Sequence, residues 1–320
     1  MPLLSAVVPC YNEGQNVSLF FDEFKEQALY MATYHHDIIF EILFIDDGSK
    51  DDTLKNIKKL VAANQYEGLI SVRYISFSRN FGKEAALYAG LCNARGDFVA
   101  TMDADMQDPP SLLPQMYDML LADDCDNVAT YRSTRTGEPP VRSWFARLFY
   151  KLINKISDVD FRDGMRDFRL MKRQMVDAIV SVTEYNRFSK GIFSWVGFET
   201  KWLGYENVDR ANGSSKWSFF SLFRYSMDGF TAFSTTPLVM ASVLGFALFF
   251  ISLIIMLVIV VKTLAFGDPV SGWPSLACLV LFVGGLQLFC LGVVGQYLAK
   301  GYLETKRRPL FIVKDSNVNS

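Results

Sequence analysis

Residues 98–110 read FVATMDADMQDPP, and this stretch decides the class of fold. Residues 98–102 form a short apolar run, which is typical of a buried strand. Two acids, Asp103 and Asp105, follow at once and are separated by one residue. In an extended chain, positions i and i+2 point to the same side, so the two carboxylates converge where the strand ends. The stretch therefore predicts a buried strand with paired carboxylates at its carboxyl end.

Around this stretch, residues 1–135 alternate short apolar runs with amphipathic helical segments. Such alternation predicts βαβ units with right-handed crossovers, and hence an α/β fold with a mostly parallel sheet. Asn16 is a plausible N-cap of the first helix. The predicted strands are 5–9, 41–45, 71–76, 98–102 and 127–131, and the predicted helices are 17–33, 52–64, 83–93 and 111–121.

Clusters of polar residues follow three of these strands, at 11–13, 46–47 and 103–108. Because ligands bind beyond the carboxyl ends of the strands in such sheets, we expect these clusters to form one active site. Two converging carboxylates repel unless a cation lies between them, and oxygen ligands suit Mg²⁺ or Mn²⁺ with a substrate diphosphate. Gln107 can add a neutral oxygen to Asp103 and Asp105. The cation would stabilise a departing nucleoside diphosphate, which predicts a nucleotide-linked donor. The alternative is an acidic surface turn.

The composition excludes several other classes of protein. Half of the 320 residues are hydrophobic and only 21% are charged, which predicts a membrane-embedded portion. The net charge of −2 argues against a nucleic-acid partner. With only two histidines, acid–base chemistry is expected to rest on carboxylates. The five cysteines have no paired spacing, so reduced thiols in the cytosol are expected.

The membrane portion is predicted in the C-terminal third of the chain. Residues 3–8 are too short for a secretory signal, so the first domain is expected to stay in the cytosol. Residues 238–261 and 275–299 carry no charge, and each is long enough to span a hydrocarbon core. The alternative is a pair of buried core helices. Basic residues flank the second span on its far side, which predicts that both termini lie in the cytoplasm. Glycines along the second span would permit a homo-oligomer.

Two further segments have the pattern of an interfacial helix. Residues 143–157 combine an apolar face with Arg147, Lys151 and Lys155 on the other face, and 216–236 are rich in aromatic side chains. For 143–157, a surface helix packed on its own domain remains equally open. The segment 132–155 holds six basic residues against one acid, which fits a phosphate presented by a lipid or a general attraction to anionic headgroups.

Taken together, these motifs resemble family-two glycosyltransferases with the GT-A fold. The resemblance is carried by VPCYNE at 8–13, DDGS at 46–49, RNFGKEAA at 79–86 and DADMQDPP at 103–110. Two further groups, DFRL at 167–170 and Arg210 with Gly213, Ser215 and Lys216, narrow it to the polyprenyl-phosphate glycosyltransferases. The domains would then be a GT-A domain at 1–215, a juxtamembrane segment at 216–236, two transmembrane helices at 237–300 and a cytoplasmic tail at 301–320.

The resemblance also implies roles for individual residues. From its position alone, Asp47 could contact the ribose or base, or could only be a carboxylate favoured by the dipole of the following helix. Asp167 is implied as a candidate base. However, a phosphate monoester with a second pKa of about 6 needs little deprotonation, so Asp167 could instead orient other groups. For the donor, the resemblance implies a nucleoside site formed by Pro9, Tyr11, Glu13, Ile45 and Asp47, a donor pocket lined by Ala104, and a loop with Arg210 and Lys216 that closes over the diphosphate. The metal would be held by Asp103, Asp105 and Gln107. Phosphates, including that of the acceptor, would be contacted by Arg132, Arg142 and Arg169.

The resemblance implies inverting transfer of one sugar from a nucleotide-sugar to undecaprenyl phosphate at the cytoplasmic face of a bacterial inner membrane, for modification of a cell-envelope glycan. The first choice of donor is UDP-glucose, then UDP-N-acetylglucosamine, then GDP-mannose. Two alternatives come from other classes: a processive polysaccharide synthase, and a non-enzymatic membrane adaptor or flippase. The first would need a Gln-x-x-Arg-Trp motif, which the sequence lacks. The second would need more polar groups within the spans.

Overall fold

The structure is a computed structural model that describes residues 1–66, 68–122, 124–133, 162, 164–206, 236–266 and 272–318. In this part of the chain, eight strands form one sheet. The strands are β1 (Leu3–Cys10), β2 (Ile39–Asp46), β3 (Ile70–Phe77), β4 (Phe98–Thr101), β5 (Asn127–Arg132), β6 (Met165–Lys172), β7 (Thr200–Tyr205) and β8 (Val313–Ser316). The helices are α1 (Asn16–Tyr34), α2 (Thr53–Ala63), α3 (Lys83–Asn93), α4 (Leu113–Ala122), α5 (Arg173–Ser181), α6 (Ser189–Trp195), α7 (Thr236–Phe266) and α8 (Trp273–Thr305).

The sheet order is β7-β5-β6-β4-β1-β2-β3-β8, and the first four strands in the chain lie side by side in parallel. This confirms the predicted mixed α/β architecture. Strand β1 is central, and six of its eight residues are buried, because helices cover both faces of the sheet. Strands β2 and β3 lie on one side of β1, and β4 lies on the other side. The strand order therefore reverses at β1, which makes its carboxyl end a topological switch point.

Helices α1 and α3 cover opposite faces of this parallel core. On one face, Phe20 and Phe24 of α1 pack edge-on against Phe44 and Phe40 of β2. On the other face, α3 approaches β1 so closely that a Cβ at Gly90 would lie 2.1 Å from Val7. Helix α1 begins at Asn16 with Gln15 in the N-cap position, so the prediction that Asn16 caps the helix is wrong. The Asn16 side chain instead donates to Oε2 of Glu13, three residues earlier in the chain, at 2.6 Å.

The other half of the sheet contains an inserted antiparallel strand. Strand β6 lies between β4 and β5 and runs antiparallel to both, while β7 continues the sheet parallel to β5. In this register Thr101, the last residue of β4, pairs with Arg169. The amino-terminal part of β6, which includes Asp167, therefore lies beside the carboxyl end of β4.

The sheet also takes in residues from the C-terminal segment that the sequence analysis assigned to the tail. Strand β8 pairs antiparallel with β3 and forms one edge of the sheet. Between β7 and β8 lie the two long apolar helices α7 and α8, which contact each other where Cys290 Sγ lies 3.8 Å from the Ala241 carbonyl oxygen. The chain thus leaves the sheet and returns to it.

Among the described residues, one helical segment, Phe282–Thr305, is long and apolar enough to cross a membrane, and a shorter apolar segment covers Leu238–Leu248. The prediction of two transmembrane helices therefore remains a prediction. The predicted interfacial segment at 143–157 lies outside the described residues, as does the segment 216–236 except Thr236, and as do Arg142, Arg210 and Lys216.

Candidate active site

A cavity of about 220 Å³ opens at the carboxyl ends of β1, β2 and β4. The polar clusters predicted to follow these three strands converge on it, because parallel strands end at one edge of the sheet. Of the predicted donor-site residues, seven are in its wall: Pro9, Tyr11, Glu13, Asp47, Asp103, Ala104 and Asp105. The wall is completed by Cys10, Asn80, Gly82, Lys83 and Ala86.

The loops after β1 and β2 are joined by hydrogen bonds at the cavity rim. The Asn12 backbone N–H donates to Ser49 Oγ at 2.9 Å, and the Lys50 N–H donates back to Asn12 Oδ1 at 2.8 Å. The Glu13 N–H donates to Thr53 Oγ1 at 2.9 Å. Asn12 has a φ of 55°, a left-handed conformation that is uncommon outside glycine and is found at functional sites. These bonds hold the first polar cluster in a fixed position.

Asp47 is held by two backbone donors from the residues that precede α3. Its Oδ1 accepts the Phe81 N–H at 2.6 Å and its Oδ2 accepts the Gly82 N–H at 2.9 Å. Burial raises the pKa of Asp47 to about 6, although these two bonds act in the opposite direction. The next residue is Gly48, with a φ of 65°, and a Cβ there would lie 2.4 Å from the Arg79 backbone. The turn therefore requires glycine, and it positions Asp47 against the segment before α3.

Asp103 and Asp105 both reach the cavity from the end of β4, as their spacing predicted. Asp105 is 93% buried, and its Oδ1 accepts the backbone N–H of Gln107 at 3.1 Å. Met106, between Asp105 and Gln107, has a φ of 62°. Within the described chain no three acidic, cysteine or histidine side chains form a ready-made metal cage. Two carboxylates facing a cavity nevertheless fit a Mg²⁺ or Mn²⁺ ion that takes its remaining ligands from substrate phosphates and water.

Lys83 is a site residue to which the sequence analysis gave no role. Its Nζ lies 2.7 Å from Asp103 Oδ1 and 2.6 Å from Asp167 Oδ2, so one ammonium group binds a carboxylate of the loop after β4 and a carboxylate of β6. Burial alone would lower the pKa of Lys83, but the two acids raise it above its usual value, so the side chain carries its charge. The signal was present in the sequence, because Lys83 follows the third strand as the other polar clusters follow theirs.

Asp167 is brought to the site by the antiparallel strand β6. Burial on its own raises the pKa of Asp167, but Lys83 and then Lys190 lower it well below the usual range. Burial and the neighbouring acids Asp108 and Asp167 raise the pKa of Asp103, against the effect of Lys83. Asp167 is therefore the more strongly ionised of the two acids that share Lys83, and a strongly ionised carboxylate is a weak proton acceptor at neutral pH.

A second buried cluster fixes the loop after β4, which carries Asp103 and Asp105, beside β6. Asp108 is completely buried, and its Oδ1 accepts both Arg166 Nε, at 2.8 Å, and the Tyr205 hydroxyl. Arg166 directly precedes Asp167, and Tyr205 is the last residue of β7. One carboxylate thus ties the loop after β4 to two other strands, so that Asp103, Asp105 and Asp167 keep their relative positions.

The remaining predicted site residues lie away from the cavity wall. Ile45 is fully buried in the core beneath α3. Gln107 is half-buried outside the wall. Arg132 ends β5, and its Nε and Nη2 atoms have no hydrogen-bond partner among the described residues. Arg169 is 98% buried with its guanidinium 3.8 Å from the centre of the Phe193 ring, and burial lowers its pKa to about 9.

The arrangement offers three kinds of chemistry in one cavity. Two carboxylates can hold a divalent ion, a buried carboxylate and Tyr11 can contact a nucleoside, and the pair of Lys83 and Asp167 places one positive and one negative charge beside the metal position. Cys10 is unsuited as a nucleophile, because burial, together with the acids around it, raises the pKa of its thiol well above the usual value.

Comparison with known proteins identifies a family for this architecture. The model of the Glycosyl transferase family 2 matches residues 5–180. The chain is 45% identical to the putative glycosyltransferase CsbB of Bacillus subtilis (strain 168), over 99% of this chain and 92% of that protein. It is 39% identical to the SfII prophage-derived bactoprenol glucosyl transferase of Shigella flexneri, over 98% of both chains. Among solved structures, glucosyl-3-phosphoglycerate synthase of Mycobacterium tuberculosis has a TM-score of 0.44 at 16% identity, covering 72% of this chain and 78% of that chain.

Proposed function

Because this chain belongs to glycosyl transferase family 2 and is a glycosyltransferase, we propose that it transfers one sugar from a nucleotide-sugar to undecaprenyl phosphate, with inversion at the anomeric carbon. The observation that carries the proposal is the cavity in which Asp103 and Asp105 face Asp47 and Lys83. Similarity to a bactoprenol glucosyl transferase over nearly the whole chain supports the lipid acceptor. UDP-glucose is the proposed donor, with UDP-N-acetylglucosamine and GDP-mannose as alternatives, and the lipid-linked sugar would serve to modify a cell-envelope glycan.

In this proposal Asp47, with Pro9, Tyr11 and Glu13, binds the nucleoside of the donor. Asp103 and Asp105 would hold Mg²⁺ or Mn²⁺, which when bound neutralises charge on the departing diphosphate. Lys83 holds Asp103 and Asp167 at a fixed separation beside the reacting sugar, because its Nζ hydrogen-bonds to both.

Asp167 acts in this proposal as a fixed negative charge. The acceptor phosphate, with a second pKa of about 6, is already largely dianionic at neutral pH and needs no strong base to attack the anomeric carbon. The Asp167 carboxylate can instead stabilise positive charge that develops on the sugar. Arg132, whose Nε and Nη2 atoms have no partner in the described chain, is the proposed contact for a phosphate.

The pairing of β8 with β3 supports a membrane hairpin. A chain that leaves the sheet after β7 and returns to it as β8 must cross a bilayer an even number of times. A single crossing by 282–305 would put the two paired strands on opposite sides of the membrane. We therefore propose two spans within 237–300, formed by α7 and α8, with the catalytic domain and both termini in the cytoplasm, and the basic residues that follow α8 support this orientation.

The test is incubation of the purified full chain with undecaprenyl phosphate, Mg²⁺ or Mn²⁺ and a panel of radiolabelled sugar nucleotides. Label that becomes extractable into chloroform identifies donor and acceptor together. Asp105→Asn should abolish transfer, whereas Asp118→Asn, on the surface of α4 and outside the cavity wall, should not. Label recovered only in a polymer would favour a processive synthase. No transfer from any donor, or full activity in EDTA, would refute the proposal.

A further inference from the structure

We propose that Phe311, in the segment after α8, is a positioning residue for the nucleotide site. It acts through Phe77 and Phe81 on residues 78–82, named here the Asp47 loop because two of its backbone N–H groups bind Asp47. The inference rests on the proposed function in one respect, the assignment of Asp47 to the nucleoside site. It concerns a residue far from the family motifs in sequence and absent from the cavity wall.

The Asp47 loop forms one side of the cavity, to which it contributes Asn80 and Gly82. The loop makes contacts on two sides. Towards the cavity, its Phe81 and Gly82 N–H groups bind the two oxygens of Asp47. Away from the cavity, the Phe81 ring packs edge-on against Phe77, with ring centres 5.8 Å apart and planes at 89°. A shift of the Phe81 ring would therefore move a donor to Asp47.

Phe311 supports the loop from this second side. Its ring stacks on Phe77, with centres 5.0 Å apart and planes at 15°, so that Phe77 contacts both Phe311 and Phe81. The Ser78 N–H, at the start of the Asp47 loop, donates to the Ile312 carbonyl oxygen at 2.9 Å. The contacts run continuously from Phe311 to Asp47, and each link is a ring contact or a hydrogen bond.

The segment that carries Phe311 is anchored at its other end as well, so it can act as a rigid support. The carbonyl oxygen of Val318 accepts Arg73 Nη2 at 3.1 Å and Arg95 Nη2 at 2.8 Å. Lys58 and Asp315 form an ion pair at 2.5 Å. Between Val318 and Phe311, β8, which includes Asp315, pairs with β3. A segment that directly follows an apolar helix is thus built into the wall that backs the nucleotide site.

The first test measures hydrogen–deuterium exchange in the full chain and does not depend on any substrate. Phe311→Ala removes the stacked ring, and we expect exchange of the amides of residues 78–84 to rise about tenfold, equivalent to ~1.4 kcal/mol of lost protection. The matched control is Ile312→Ala, because the Ile312 side chain is 53% exposed and its backbone bond to Ser78 is retained. Equal exchange in the wild type and Phe311→Ala would overturn the inference.

The second test measures binding of UDP, and separately of GDP, with Mn²⁺ by calorimetry, followed by steady-state kinetics. For Phe311→Ala we expect the Kd of the nucleotide and the KM of the donor to rise about five- to tenfold, whereas kcat and the KM of the lipid acceptor stay within about twofold. A merely structural role would lower kcat in proportion to the loss of folded protein and leave the KM of the donor unchanged.

The two tests separate this inference from the proposed function. If the wild type binds neither nucleotide, the proposed function fails, while the exchange measurement still decides whether Phe311 supports the Asp47 loop. If the wild type binds a nucleotide and Phe311→Ala binds it equally well, the inference alone fails. Should Phe311→Ala not fold, Phe311→Leu keeps an apolar side chain without the stacked ring. A wild-type Kd and wild-type exchange in Phe311→Leu would equally overturn the inference.

Discussion

Replacement of Lys83 by methionine should change metal binding and turnover in opposite directions. The substitution keeps an unbranched side chain of similar length and removes the charge that lies 2.7 Å from Asp103 and 2.6 Å from Asp167. A divalent ion bound by Asp103 competes with the Lys83 ammonium for the same carboxylate. Loss of the ammonium should therefore tighten metal binding, while Asp167 loses the group that holds it in place.

The size of the effect on metal binding follows from the geometry. A hydrogen bond to a charged group contributes about 1.5–3 kcal/mol, whereas an exposed ion pair contributes about 0.2–1 kcal/mol. The Lys83 side chain is 38% exposed, so the Lys83–Asp103 pair should lie between these values, at about 1–2 kcal/mol. This corresponds to Mn²⁺ binding that is about 5- to 30-fold tighter. For turnover we expect a fall of at least about tenfold, because a displaced charge no longer matches the transition state.

Free Mn²⁺ can be counted by electron paramagnetic resonance in the presence of UDP, and kcat and KM can be measured on the same preparations. Two variants serve as controls. Lys83→Arg keeps the charge and should stay close to the wild type in Mn²⁺ affinity. Lys190→Met removes a lysine that donates to the Met165 carbonyl oxygen at 3.1 Å, and Mn²⁺ affinity should change by less than about twofold. Weaker Mn²⁺ binding in Lys83→Met, or unchanged kcat, would refute this reasoning.

Three further predictions follow from the same contacts. Burial raises the pKa of Asp47 to about 6, so its carboxylate takes up a proton as the pH falls through this value and loses an acceptor. The affinity for UDP should therefore drop between pH 7.5 and 5.5 more in the wild type than in Asp47→Asn. Parallel pH profiles of the two proteins would contradict this. Asp167→Asn should lower kcat without changing the shape of the pH–rate profile between pH 6 and 8.5, because its low pKa leaves it ionised throughout; loss of an acidic limb would instead indicate a general base. Gly90→Ala should lower the melting temperature, since overpacking against Val7 costs about 1–3 kcal/mol, and an equal or higher melting temperature would show that α3 can move away.

Much of the fold was predictable because it depends on patterns of hydrophobic residues over short stretches of sequence. The first five strands and first four helices follow from apolar runs and periodicity, and the structure moves their ends by only a few residues. The cap of α1 was misplaced because Asn16 uses its side chain to bind Glu13 and not the helix backbone. Strands β6, β7 and β8 were not predicted, because their short runs of mixed polarity do not differ locally from loops.

Some residues of the candidate site could likewise be predicted from local sequence, whereas others could not. Asp47, Asp103 and Asp105 could be placed together from the sequence, because a rule about parallel sheets fixes where their strands end. Asp167 could be named only by resemblance to a family, since its position depends on an antiparallel strand inserted beside β4. The position of Lys83 after the third strand was visible in the sequence, but its role was not, because its two carboxylate partners are 20 and 84 residues away in the chain.

The sequence by itself determined the α/β class, the edge of the sheet at which the polar clusters meet, and the presence of a long apolar portion. These properties depend on composition and on spacings of a few residues. Only the tertiary structure decided that one ammonium group joins Asp103 to Asp167, that Asp108 ties the loop after β4 to β6 and β7, and that Phe311 stacks on Phe77. Each of these contacts joins residues that are distant in the chain, and it forms only when the whole sheet has assembled in one order and register, which local periodicity does not specify.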